Sequence, residues 1–301
     1  MRIWAVGGGK GGTGKSLVSN GLGMRLAERG SQVILVDADY GGPNLHTYCG
    51  IRKPATSLVH FFEQRVPLED LIVDTRVEGL RLIPGNYNSA NTDNLTYAQK
   101  QKLFRHIKRL QADHVILDLG AGTQYDVLDT FLLADIHVGV VAPDAMSIEN
   151  FYLFLKNLHN RLLCNVLSTV GLKERANSIW KARAEHGITT TKDFVAHLRT
   201  LSPDFSERLT QEHGRFRPHV VLNQVREYRQ VEMGLAVESV VNKLFHIAAT
   251  YSGHIRYDRD LWQQFGHESP ALSHGHAFTL QQDLERITEE ILQSQLEEPK
   301  G

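Results

Sequence analysis

Cysteine is nearly absent from this 301-residue sequence: only Cys49 and Cys164 occur, and not in CxxC spacing. That excludes a disulfide framework and fits a reducing, cytoplasmic setting. Two unreactive thiols are the simpler reading, while a metal shared between two chains, one cysteine from each, stays open. No apolar run reaches the ~18 residues of a spanning helix. The first strand pattern starts almost at Met1, which leaves no room for a signal peptide. Charge of one sign is also lacking. The formal net charge of −1 gives no global attraction for nucleic acid or anionic lipid, so either partner would need a local patch. Internal repeats and low-complexity tracts are missing too. What remains is a chain with 42% hydrophobic and 22% charged residues, enough apolar matter for a core and too little charge for disorder. Its length allows one large α/β domain or two small ones.

The most informative segment is Gly8-Gly9-Lys10-Gly11-Gly12-Thr13-Gly14-Lys15-Ser16. A short apolar strand, Ile3 to Val6, leads into it, and a helical run from Leu17 to Glu28 leaves it. Strand, glycine-rich loop, Lys-Ser and helix in that order make a phosphate-binding loop. Glycines at 11, 12 and 14 let backbone N–H groups curl around an anion. The adjoining helix N-terminus adds partial positive charge. Lys15 can reach the terminal phosphates, and the Ser16 hydroxyl is placed to hold Mg2+. Two later strand patterns end in carboxylates. Val33 to Val36 runs into Asp37-Ala38-Asp39, and Val115 to Leu117 runs into Asp118-Leu119-Gly120. In an open parallel sheet such strand ends face the ligand crevice.

With Lys10 ahead of the loop, the run Lys-Gly-Gly-Thr-Gly-Lys-Ser resembles the deviant Walker motif of the MinD/ParA ATPases. The resemblance covers residues 1–163 and 218–295, and Pro143 to Asn157 looks most like the flagellar-placement branch (FlhG, also called FleN). It implies ATP and Mg2+ as cofactors, with Gly9 to Leu17 as the nucleotide-binding run. Lys10 then acts across an ATP-dependent homodimer on the partner's phosphates. Asp37 and Asp118 support the Mg2+ shell beside Ser16, and Asp39 orients the attacking water, so Lys10, Lys15 and Asp39 are the catalytic candidates. Asn223, after the strand Val220 to Leu222, is implied to contact adenine, and Tyr257 to stack on it. Here the family's proline is missing, Arg256 and Tyr257 standing in that area. A regulatory protein partner is implied as well, of unspecified identity.

Alternating patterns place strands near 2–7, 32–37, 80–83, 114–118, 136–142 and 218–223, with a short one near 253–256. Helices are expected at 15–29, 56–64, 96–111, 124–134, 147–162 and 279–295. The expected fold is therefore α/β: a mostly parallel, doubly wound sheet in one P-loop domain spanning 1–301. Residues 164–217 exceed any compact α/β connection and read as a helical insertion within it. From Lys173 to Arg229 there are eleven Lys/Arg against seven Asp/Glu. That suits a solvated cap or a docking surface for an acidic partner or DNA backbone. Lys100, Lys102, Arg105, Lys108 and Arg109 crowd another helix, with the same two readings.

Trp262 to Ser269, then Pro270, resembles the family's helix followed by Gly-x-x-Pro. Toward the C-terminus, Leu280, Leu284, Ile287 and Ile291 form one apolar stripe of a helix packed on its own domain. Its polar side, with Glu297 and Glu298 beyond, is acidic, which disfavours stable membrane anchoring. Two functional classes compete. One is a dimerising switch ATPase that regulates the placement or number of a cellular structure, with ParA-like DNA or cargo partitioning as a branch. The other is a metallocentre-maturation ATPase of the nitrogenase iron-protein type, for which the paired cysteine ligands are lacking.

Overall fold

Four strand sequences, Ile3-Trp4-Ala5-Val6, Val33-Ile34-Leu35-Val36, Val115-Ile116-Leu117 and Val138-Gly139-Val140-Val141, are apolar at consecutive positions, as strands buried on both faces must be. The computed structural model describes residues 1–85, 97–245, 247–259 and 278–296. In it these segments form β1 (Arg2–Gly7), β2 (Val33–Ala38), β5 (His114–Leu119) and β6 (Ile136–Val141). They join β3 (Val73–Asp74), β4 (Leu80–Ile83), β7 (Pro218–Val225) and β8 (Thr250–Arg256) in an eight-stranded sheet of order β3-β4-β2-β5-β1-β6-β7-β8. Every pairing is parallel except β3 with β4. The expected doubly wound α/β fold is what the chain adopts.

Side chains alternate across the pleat. Ile3, Ala5, Ile34 and Val36 enter one apolar layer, and Trp4, Val6, Val33 and Leu35 enter the other. The second layer is closed by α1 (Lys15–Glu28) and the last helix, α11 (Phe278–Leu296). Leu280, Leu284, Ile287 and Ile291 are all buried there, as their spacing indicates. Glu285 and Glu289 on its polar side hold Arg29 of the chain following α1, at 2.6 and 3.2 Å. The C-terminal helix is thus a structural lid on its own sheet. Among the described residues no helix is long and apolar enough to cross a membrane.

The other layer takes α3 (Leu58–Glu63), α4 (Tyr97–Ile107), α5 (Tyr125–Leu132), α6 (Ala145–Thr169) and α10 (Val231–Phe245), while the short α2 (Leu45–Tyr48) follows β2. Between α6 and β7 lie α7 (Lys173–Lys181), α8 (Thr191–Leu201) and α9 (Pro203–Arg215). These segments are helical, as expected, but α6 is longer than expected and takes residues 164–169 out of the insertion. Phe194, Leu198, Phe205, Leu209 and Phe216 join the same apolar layer as the sheet. Their packing is continuous with the core. Thr190 and Ser202 cap α8 and α9, accepting from Asp193 N and Phe205 N.

The pattern 147–162 underestimates α6, and the fifteen residues of α10 were not expected as a helix at all. The short β3 was not expected either. The segment 262–270, Glu297, Glu298 and the side chain of Lys100 lie outside the described residues.

Candidate functional site

The loop after β1 sits where the order of strands reverses, between β5 and β6. At such a point the loops on either side diverge and leave a crevice at the carboxyl ends of the strands. Gly14 has φ 89°, a left-handed conformation, and a Cβ there would lie 2.0 Å from Asn223 Nδ2. Glycine is required on both counts. At Gly9 a Cβ would lie 2.0 Å from the carbonyl oxygen of Asn150 in α6. The faces of Gly11 and Gly12, by contrast, open onto free space. The tight positions set the curvature and the open ones leave backbone N–H groups accessible to an anion.

The end of β7 braces this loop. Asn223 donates from Nδ2 to the Thr13 carbonyl at 2.8 Å, and its Oδ1 accepts from Gln224 N at 2.8 Å. Gln224, at φ 65°, donates from Nε2 to the Gly12 carbonyl at 2.8 Å. Sequence reasoning gave no bracing role to either residue, because 210 positions separate the partners and no local signal marks the pair. The Asn223 amide keeps one N–H and one lone pair uncommitted. Tyr257 is partly exposed, with the Arg226 guanidinium 4.2 Å from its ring centroid.

Lys15 is largely buried and bends back over the loop, its Nζ 3.4 Å from the Lys10 carbonyl. Burial pushes its pKa down, opposed by the charges of Asp118 and Asp39. Asp37 and Asp118 stand directly opposite each other on β2 and β5, and both are fully buried. Asp37 accepts from Leu45 N at 3.1 Å and Asp39 N at 3.3 Å. Asp118 accepts from the Ser19 hydroxyl at 2.8 Å through Oδ1. Its Oδ2 is buried without a partner. Burial raises Asp37 well above the carboxylate range, with the Asp118 charge adding to it. Burial likewise lifts Asp118 to about 6, restrained by hydrogen bonds from Ser16 and Ser19 and by the Lys15 charge. Asp39 is less buried, and its Oδ1 accepts from Gly41 N and Gly42 N at 3.1 and 3.0 Å. The Asp39–Leu45 segment therefore folds around its own first carboxylate.

Two facing buried carboxylates with one orphaned oxygen are costly without a cation. The donor set is right for Mg2+, which prefers one or two carboxylates, a hydroxyl, and oxygens from water and phosphate over a closed protein cage. Consistently, no group of three or more His, Cys, Asp or Glu side chains among the described residues could hold a metal by itself. Ser16, Asp37 and Asp118 are the residues whose chemistry would suit the ion.

Lys10 lies at the rim. Its ammonium is 3.3 Å from Asp144 Oδ1, and Asp144 caps α6 by accepting from Ser147 N at 2.9 Å. In the single chain this lysine is thus turned toward its own protomer. The structure brings together Gly9 to Leu17, Asp37, Asp39, Asp118 and Asn223 at one end of the sheet.

Fold and site together define a P-loop nucleotide-binding architecture. Residues 1–163 match a family model described as an AAA domain. The antiactivator FleN of Pseudomonas aeruginosa is 30% identical over 161 residues, which cover 53% of this chain and 57% of that protein. The chain matches little more than half the length of its curated relatives. Among solved structures, the cell division ATPase MinD of Pyrococcus furiosus superposes with a TM-score of 0.64 at 20% identity, over 97% of this chain and 99% of that one. The septum site-determining protein MinD of Pyrococcus horikoshii, complexed with Mg-ADP, gives 0.63 at 20% identity, over 96% and 95%. The chain belongs to the MinD/ParA family of P-loop ATPases, a family that includes the FleN-like branch.

Proposed function

We propose that the chain is an ATP-dependent, dimerising switch ATPase of the cytoplasm. It would convert ATP and water to ADP and phosphate while regulating the placement or number of a cellular structure, a flagellar one in the first instance. The observation that carries this is the phosphate loop facing the Asp37–Asp118 pair, whose unpartnered oxygen and raised carboxyls fit a magnesium–phosphate group. The Mg-ADP complex of the P. horikoshii relative supports the same assignment.

The residues then divide the work. The Gly11–Ser16 backbone cradles the phosphates, while Asn223 and Tyr257 flank the base. Ser16, with Asp37 and Asp118 nearby, would hold Mg2+, whose charge would offset that of the phosphate oxygens. Lys15 presents its ammonium to the terminal phosphates. Asp39 orients the water through its second oxygen, since its first is committed to Gly41 and Gly42. For Lys10 to act in trans it must leave Asp144 and reach the partner's phosphates. An added positive charge there stabilises the transferring phosphoryl group only when two chains meet. Loss of the terminal phosphate would release the segments after Asp39 and Asp118.

Analytical ultracentrifugation with ATP tests the cycle. Wild type is expected to dimerise with ATP and not with ADP, Asp39→Ala to accumulate as the ATP dimer, and Lys10→Ala to lose both dimer and turnover. An unchanged ATP dimer in Lys10→Ala would remove the trans role.

A further inference from the structure

A cavity of about 610 Å³ lies far from the phosphate loop, near the N-terminal end of β6, where α5, α6 and α9 meet. It is too large to be one buried water, whose share of volume is roughly 30 Å³. Its size falls within the span of small-molecule sites, roughly 300–1,000 Å³.

His137 lies in its lining. The second residue of β6 is buried, and neither ring nitrogen has a hydrogen-bond partner. An imidazole needs one donor and one acceptor partner, and a buried one left without them is destabilising. Aromatic neighbours Phe216 and Phe131 stand with ring centroids 4.9 and 5.4 Å away, and they cannot supply those bonds. Native interiors rarely leave such a group unpaired, so a polar atom from outside the chain belongs there.

The mouth is charged but balanced, with Arg161, Arg208 and Arg215 against Asp129, Asp135 and Glu212. Arg161 is clamped to Asp129 through two nitrogens, and Arg208 pairs with Glu212. Among the described residues Arg215 makes no ion pair. Asp135 is held by a backbone donor, accepting from Ile3 N at 2.8 Å, so Arg215 is the guanidinium left without a bonded carboxylate; it suits one acid group, and a triphosphate would leave charges over. Leu132, Leu162, Val166 and Phe216 supply apolar wall. We propose that this cavity binds a small organic monoanion with a planar, largely apolar body, its ring edge hydrogen-bonded to His137 and its acid group held by Arg215.

The two arginines at 208 and 215 come from α9, so the helical insertion completes the site. Nothing in the nucleotide crevice contributes to it, and the inference does not rest on the proposed ATPase cycle.

The test uses the full chain with 15N-labelled histidine, saturated with Mg-ADP to occupy the phosphate loop. Indole-3-carboxylate, quinaldate and 4-hydroxybenzoate are titrated, with uncharged indole as control. At least one acid is expected to shift both His137 ring nitrogens with Kd below about 1 mM. Its affinity should fall about tenfold in Arg215→Ala, the loss of one charge-assisted bond. Asn165→Trp, an exposed change on α6 that plugs the cavity, should abolish the shift. Both positions are exposed, so folding is not at stake. The proposal is overturned if none of the three acids moves His137 at about 5 mM. It is equally overturned if indole binds as well as the acids, or if binding survives Arg215→Ala and Asn165→Trp.

Discussion

Asp118 shows how a single side chain can weaken the empty protein and serve the loaded one. Its Oδ2 is buried and unpartnered beside Asp37, so the negative charge there opposes folding until a cation arrives. Asp118→Asn keeps the shape and removes the charge. Without ligand its thermal midpoint is expected to rise above wild type, while the further rise on adding Mg2+ and ADP should disappear. Differential scanning calorimetry with and without Mg-ADP reads both. A variant that is destabilised when empty would show that the pair is not under charge strain. Lys15→Ala acts on the neighbouring atom and is expected to cut nucleotide affinity at least a hundredfold, about 2.7 kcal/mol or more, by isothermal titration. The identities of these residues were legible because each follows an apolar strand or glycine-rich run. Bracing by Asn223 and Gln224 was not, because it depends on two strand ends meeting across the sheet.

Elements were legible in proportion to how one-sided their burial is. The stripe on α11 has one apolar face and one acidic face, and its four stripe residues are all buried. In α10, Val237 and Val241 are buried while Met233, Leu235 and Leu244 are exposed, so apolar residues appear all round and the helical period is blurred. The extra length of α6 escaped because Leu162, Leu163, Val166 and Leu167 form a face only once the insertion covers it. Packing of α11 yields a quantitative expectation. Leu284 is fully buried against Gly21 of α1, where an added Cβ would meet its Cδ1 at 2.4 Å. Leu284→Ala should cost about 2–5 kcal/mol in urea unfolding. A loss below about 1 kcal/mol would mean that α11 contributes little to the fold.

For the molecule as a whole, acid sensitivity follows from two buried histidines. Burial, with the His219 charge adding, pushes His137 down to about 3, and burial pushes His219 down to about 4. Unfolded, each titrates near 6.5. The neutral forms favour the native state, so their contribution is complete above that value. It is lost as pH falls toward 4 and then 3, at up to ~1.4 kcal/mol per pH unit for each. Stability measured by denaturant between pH 7 and 4.5 should therefore drop, and His137→Phe should shallow the slope. An unchanged slope would place the acid response in the carboxylates.

That the strands are mostly parallel was readable from apolar runs alternating with helices, whereas their order across the sheet was not, since it depends on how distant segments pair. The cavity beneath α9 was not, since it exists only where three distant segments converge. Both margins of the sheet are poor templates for strand addition. One is the two-residue β3, and the other is β8, whose pairing with β7 is irregular and whose face α11 covers. Fibre-like growth through backbone ladders is thereby discouraged. Copies of this chain that associate are left to do so through side chains and loops, and under the function proposed above such contacts would form and break with the bound nucleotide.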